Sequence, residues 1–187
     1  MRLFVALEIP AEVRKTIAAL VQELREVEPQ AKWIRAENLH VTLKFIGEVE
    51  SSKAAEICAV LSEMCANREV SVQFQGLGFF PSEYIPKVLW AGITESSELP
   101  SLAAQIDKRL SEIGIPAQTR IFSPHLTLAR FHEGETHDKL RAAILKNAGI
   151  EFGSLVAREF HLVESKLKPT GAEYTTLQSF PFVAAEA

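Results

Sequence analysis

The chain has 187 residues, 47% of them apolar and 24% charged, with a formal net charge of −4. That acidity argues against a protein that coats nucleic acid by neutralising many phosphates, so any such contact is expected to be local, at an end or a single nucleotide. The length suits one generous domain or two small lobes sharing an interface. The opening RLFVALEIP is too short an apolar run for a signal core, and no stretch approaches membrane-spanning length, so the expected location is the cytoplasm.

In chain order, Leu3–Glu8 reads as a buried strand, and Val13, Ile17, Leu20, Val21 and Leu24 then follow the spacing of an amphipathic helix. HVTLKFIGEV begins at His40 and reads as a strand. A helical pattern over Ser52–Ala66 follows, carrying Cys58 and Cys65 on one face as buried thiols rather than a disulfide framework. Val70–Phe79 is β-rich. GLGFFPSEYIPK (Gly76–Lys87) is the candidate connection between lobes, and Gly76-Leu77-Gly78 within it is expected to be a turn or bulge, not a dinucleotide loop.

From Val88 the order repeats. Val88–Ile93 is a strand, Leu99, Leu102, Ile106, Leu110 and Ile113 mark a helix, and HLTLAR begins at His125. Asp138–Ala148 is helical, and Phe160–Lys166 and Thr175–Val183 close the chain as strands. The segment HEGETH (His132–His137) is one residue too long for the His-Glu-x-x-His spacing and contains a glycine, so no metal site is expected there.

Two copies of His-x-Thr-Leu stand 85 residues apart, where about 0.03 copies are expected by chance for this composition. The same ungapped shift pairs Leu3–Glu8 with Val88–Ile93, Ile17 with Leu102 and Val21 with Ile106. The expected fold is therefore α+β: two lobes related by a pseudo-two-fold axis, each an antiparallel-rich sheet covered by helices, with a cleft between them. The chain is expected to be a single bilobed domain over 1–187, with an internal repeat at approximately 1–85 and 86–187.

Strand alternation points His40 and Thr42 to one face, roughly 6–7 Å apart, and does the same for His125 and Thr127. Facing each other across a cleft, two imidazoles and two hydroxyls suit phosphoryl transfer without metal or other cofactor. One histidine takes a proton on the attacking side, the other delivers one to the leaving oxygen, and the hydroxyls hold the non-bridging oxygens. Alternation also puts Lys44 on the His40 face, either as a phosphate neighbour or as a solvated lysine. It puts Val41, Leu43 and Phe45 in the core, and turns Arg130 away from the cleft.

HVTLKFIGEV and SPHLTLAR resemble the paired motifs of the 2H phosphoesterases. RLFVALEIP, KVLWAGI and ESKLKPTGAEYTTLQSFPF are similar to the bacterial RNA 2′,3′-cyclic phosphodiesterase branch, also described as 2′-5′ RNA ligase-like. The resemblance spans nearly the whole chain. It implies hydrolysis of 2′,3′-cyclic phosphate ends of RNA to 2′-phosphates, with no obligate protein partner or membrane. The alternatives are 2′-5′ ligation by the reverse chemistry and a non-catalytic RNA- or nucleotide-binding module. The resemblance also implies His40 as proton donor, His125 as proton acceptor, Thr42 and Thr127 as the phosphate-binding threonines, and Arg130 as a substrate-binding basic residue after the second motif. It offers Phe45 as an aromatic that stacks on the terminal base, in competition with its core reading. Arg35, Arg120, Lys166 and Lys168 are expected either as a rim for the RNA backbone or as ordinary surface charge.

Overall fold

Alternating apolar residues in the short β-rich runs and 3.6-residue spacing in the longer ones build nine strands and four helices among the described residues. The computed structural model describes residues 1–64, 69–94, 97–132, 137–169 and 171–182. Strand β1 (Arg2–Glu8) leads to helix α1 (Ala11–Val27), a two-residue strand β2 (Lys32–Trp33), a 3₁₀ turn (Ala36–Asn38), and the first motif strand β3 (His40–Glu48). Helix α2 (Ser51–Ser62), β4 (Val70–Phe80), β5 (Val88–Thr94) and helix α3 (Glu98–Glu112) follow. The second motif strand β6 (His125–Arg130), α4 (Asp138–Lys146), β7 (Glu151–Ala157), β8 (Glu159–Lys168) and β9 (Gly171–Pro181) complete the order.

The periodic stretches became helices because each presents one apolar stripe to a sheet. In α1 the buried residues are Val13, Ile17, Leu20, Val21 and Leu24; in α3 they are Leu99, Leu102, Ala103, Ile106 and Leu110. Cys58 lies beside the buried stripe of α2, half-buried and without a disulfide, while Cys65 is outside the described residues. No helix among the described residues is long and apolar enough to cross a membrane.

The strands form two antiparallel sheets, β3-β1-β8-β9 and β2-β6-β5-β4-β7. Each half of the chain contributes to both. β4 leaves the first half to pair with β5, and β8 and β9 leave the second half to extend β1. The helices cross over as well, α1 lying against β7 and α3 against β3. One continuous apolar core therefore runs through both sheets, joining Leu3, Val5 and Leu7 to Leu89, Ala91 and Leu126. The segment Gly76–Lys87 is a connection only from residue 81, because Gly76–Phe80 continues β4. Gly76 sits at φ +77 where the β4–β5 register shifts, so it forms the bulge that its sequence suggested. At Gly78 a Cβ would lie 2.2 Å from the Trp90 indole, so only glycine lets that ring cross β4.

Both motif strands carry a bulge at the same place. In β3, Thr42 faces Ala6 and Lys44 faces Val5, leaving Leu43 as the extra residue. In β6, Thr127 faces Trp90 and Ala129 faces Leu89, leaving Leu128. By this register Val88 stands where Phe4 does, so the two first strands correspond at an offset of 84 rather than 85.

An extra residue reverses the facing of everything after it. Lys44 is consequently core-facing and 0% exposed, against the expectation of a cleft position. Its ammonium pairs with Asp107 of α3 and donates to Pro116 O at 2.6 Å, and Asp107 also accepts from the Gln118 N–H at 3.0 Å. This buried ion ties the first motif strand to the segment that leads into the second. Lys44→Met is expected to lower unfolding stability by about 3 kcal/mol. That is the low end for breaking a buried pair, since the Asp107 side chain keeps 25% exposure. Urea denaturation measures it; an unchanged midpoint would show that the ion pair adds nothing to an apolar contact.

Candidate active site

The cleft opens between the two sheets, a cavity of ≈ 140 Å³. Sheet β3-β1-β8-β9 supplies Phe4, His40, Thr42, Phe45 and Tyr174, and sheet β2-β6-β5-β4-β7 supplies His125, Thr127 and Arg130. The four motif side chains predicted to meet do line one cavity. Alternation before each bulge puts His and Thr on the cleft face and Val41 and Leu126 in the core.

The two imidazoles are anchored alike. Nδ1 of His40 donates to Asn38 O at 2.7 Å, and Nδ1 of His125 donates to Ser123 O at 2.8 Å. A carbonyl can only accept, so each neutral ring carries its proton on Nδ1 and presents the Nε2 lone pair for chemistry. The backs of the rings are held by aromatics. Phe4 lies 4.7 Å from His40, with Tyr174 edge-on at 5.2 Å; Phe80 meets His125 edge-on at 5.0 Å.

Burial lowers the pKa of His40, offset in part by the Asn38 carbonyl and reinforced by the charge of His125. Burial also lowers that of His125, offset by the Ser123 carbonyl and reinforced by Arg130. Each ring thus resists protonation, and protonating one makes the other harder to protonate. The pair favours a state with at most one proton to spare.

The bulges decide the remaining residues. Phe45 turns out of the core into the cleft, 48% exposed, overturning its core expectation. Arg130 likewise turns into the cleft, against strict alternation. Of the basic rim residues, Arg35 pairs with Glu37 at 3.4 Å, Lys166 with Glu164 at 3.2 Å and Lys168 with Glu173 at 2.6 Å. Arg120 is exposed and does not line the cavity. These four read as surface charge.

Sequence reasoning missed Arg2, Phe4, Asn38 and Tyr174. Arg2, Phe4 and Ala6 alternate with the core residues Leu3, Val5 and Leu7, but the apolar run RLFVALE hides which face meets the cleft. Asn38 links two elements: its carbonyl holds His40, and its amide donates to Ala172 O on β9 at 2.8 Å, two residues before Tyr174.

Among the described residues no group of three His, Cys, Asp or Glu side chains could hold a metal ion. In HEGETH, residues 133–136 lie outside the described residues. Nδ1 of His137 is 2.8 Å from Glu28 Oε2, away from the cleft.

The sequence matches the family described as LigT-like phosphoesterase over residues 7–90 and 92–174. The chain belongs to the LigT-like phosphoesterase family. An RNA 2′,3′-cyclic phosphodiesterase of Archaeoglobus fulgidus is 34% identical over 96% of this chain and 99% of its own length. One from Methanocaldococcus jannaschii is 31% identical over 96% and 100%. A crystal structure of a Thermus thermophilus protein superposes with a TM-score of 0.79 at 31% identity, covering 97% of this chain and 98% of that one. The bilobed α+β architecture is that of the LigT-like phosphoesterases.

Titration of the imidazole protons by NMR is expected to give midpoints below 6.5 for both His40 and His125. Arg130→Gln removes a cation that disfavours the His125 imidazolium, so the His125 midpoint should move to higher pH. A downward movement, or none, would mean that Arg130 does not act on that ring.

Proposed function

We propose that the chain is an RNA 2′,3′-cyclic phosphodiesterase, a single bilobed catalytic domain that opens terminal cyclic phosphates to 2′-phosphates. The observation that carries this is the pair of Nδ1-anchored imidazoles on opposite sheets of one cleft, each with a threonine two residues on. Relatives named for that activity, at up to 34% identity over nearly the whole chain, support the same reading.

In-line displacement needs a base on one side of phosphorus and an acid on the other. Nε2 of His125 takes a proton from water as its oxygen bonds to phosphorus. Nε2 of His40, protonated beforehand, gives its proton to O3′ as the P–O3′ bond breaks. The product carries a 2′-phosphate and a free 3′-hydroxyl, and exchange with solvent restores both rings. Thr42, Thr127 and Arg130 hold the non-bridging oxygens as negative charge grows on them. Mutual repulsion between the rings favours the singly protonated state that this division of labour needs. Phe45 offers a face for the terminal base. The division between donor and acceptor follows the resemblance of the two motifs to those of the 2H phosphoesterases. No step needs a metal ion. The reading places the enzyme in the cytoplasm, where a thiol such as that of Cys58 stays reduced.

Because both pKa values are lowered, kcat/KM for a cyclic nucleotide is expected to follow a bell centred below pH 6.5 and to decline as pH rises through the donor's pKa. His40→Ala and His125→Ala should each cost about 10²–10⁴ in rate. Thr42→Ala or Thr127→Ala should cost less, about 10–10³, each removing one hydrogen bond. Near-wild-type turnover in both histidine variants would mean that the two motifs are structural and that the chemistry lies elsewhere.

Phosphorus NMR of the product should show a 2′-phosphomonoester, formed equally well with strong chelator present. A predominant 3′-phosphate would reverse the two histidine roles. Activity lost to chelator and restored by one metal would end the metal-free mechanism.

A further inference from the structure

The cleft holds more positive charge than one cyclic phosphate requires. A cyclic diester is a monoanion, and Arg130, on the strand of His125 and Thr127, already stands beside it. Arg2 enters the same cavity from β1. Among the described residues neither Arg2 nor Arg130 belongs to an ion pair, whereas Arg35, Lys166 and Lys168 close by are each matched to a carboxylate. In a chain with 24 acidic and 20 basic residues, two unmatched guanidiniums in one cleft call for an anionic ligand.

The position of Arg2 says which anion. It lies on the cleft face of β1, two residues before Phe4, whose ring is 4.7 Å from that of His40. Two residues of strand place it about 6–7 Å farther from the reacting imidazole, a spacing of the order of one nucleotide step. The start of β1 is secured, since the Val49 N–H donates to Met1 O at 2.8 Å. The Arg2 guanidinium carbon sits 5.1 Å from the centroid of the Phe45 ring. Stacking of that kind fixes a guanidinium while leaving its edge donors free for a bidentate contact to phosphate. The Tyr174 hydroxyl feels both Arg130 and Arg2, while burial keeps its pKa raised and hence its proton in place.

We propose that Arg2 forms a subsite for a second anion, the 5′-phosphate of the terminal nucleotide, which in RNA is the linkage to the preceding residue. The proposal rests on the reading of the cleft as a site for RNA ends, and it makes the enzyme prefer oligonucleotide or 5′-phosphorylated ends to cyclic nucleosides with a free 5′-hydroxyl.

Two measurements test it. The first compares kcat/KM for cytidine 2′,3′-cyclic phosphate with that for its 5′-phosphorylated form. The second compares calorimetric affinities for cytidine 2′-monophosphate and cytidine 2′,5′-bisphosphate, and needs no turnover. The wild type is expected to favour the 5′-phosphorylated member about tenfold in each, as one charged hydrogen-bonding contact allows. Arg2→Gln should bring both ratios to near one, and Arg2→Lys should keep part of the preference by charge alone.

A wild type without preference, or an Arg2→Gln variant that loses equally on both ligands and so keeps the ratio, would overturn the subsite. A calorimetric preference that depends on Arg2, without hydrolysis of either cyclic substrate, would support the subsite while ending the enzymatic reading.

Discussion

One extra residue just after His-x-Thr in each motif strand, Leu43 in β3 and Leu128 in β6, sets what the cleft contains. Without the bulge, period-two alternation would bring Lys44 and Ala129 beside the histidines and bury Phe45 and Arg130. With it, His-x-Thr faces the cleft, two consecutive residues face the core, and an aromatic or a guanidinium returns to the cleft. The lysine sent inward is tolerated only because Asp107 and Pro116 O meet its ammonium there. The site's chemistry and the buried ion pair are thus two consequences of the same backbone irregularity, which is where strands commonly re-aim side chains.

From the histidine to the residue after the shared bulge the two motif strands have the same register, and they are unequal in what they present. Phe45 and Arg130 occupy matching positions after the two bulges, so one flank of the cleft is aromatic and the other cationic. A near-symmetric arrangement of two imidazoles and two hydroxyls suits the proposed reaction, whose attacking and leaving oxygens are alike. The unequal flanks make the two sides of the cleft chemically distinct. Electrostatics work at the same scale: among the described residues of a protein with net negative charge, two guanidiniums without an ion pair share one cavity, while Arg35, Lys166 and Lys168 are paired with acids. The field that attracts substrate is local, which fits a ligand recognised at its end.

Strand exchange between the halves explains why the site is held firmly. β4 completes the sheet of β5 and β6, and β8 and β9 complete the sheet of β1 and β3, so neither half can close its own sheet. The second half brings Tyr174 to His40, and the first half brings Phe80 to His125. Each motif histidine therefore leans on an aromatic from the other half of the chain. The cleft geometry is a property of the assembled pair of sheets.

Local pattern was enough for much of this. Apolar periodicity marked the buried stripes of α1 and α3, Ile113 alone falling just past the end of α3, because an amphipathic helix is decided by its own stripe. The doubled His-x-Thr-Leu marked four side chains that line the cleft, because side chains two apart on a strand must share a face. Short β2 and β7 were not legible; β2 has two residues, and β7 draws its place from its neighbour β4. Lys44, Phe45 and Arg130 were misplaced by alternation, because a bulge is specified by pairing with another strand and leaves no mark in the strand's own residues. Arg2, Phe4 and Tyr174 joined the cleft only through strand order, since residues 2, 40 and 174 come to one face when β1 pairs with β3 on one side and with β8, which carries β9, on the other. The sequence by itself determined the four motif side chains of the cleft, the helices and the class of fold; pairing across the chain decided which face each later residue shows and which distant side chains complete the cavity.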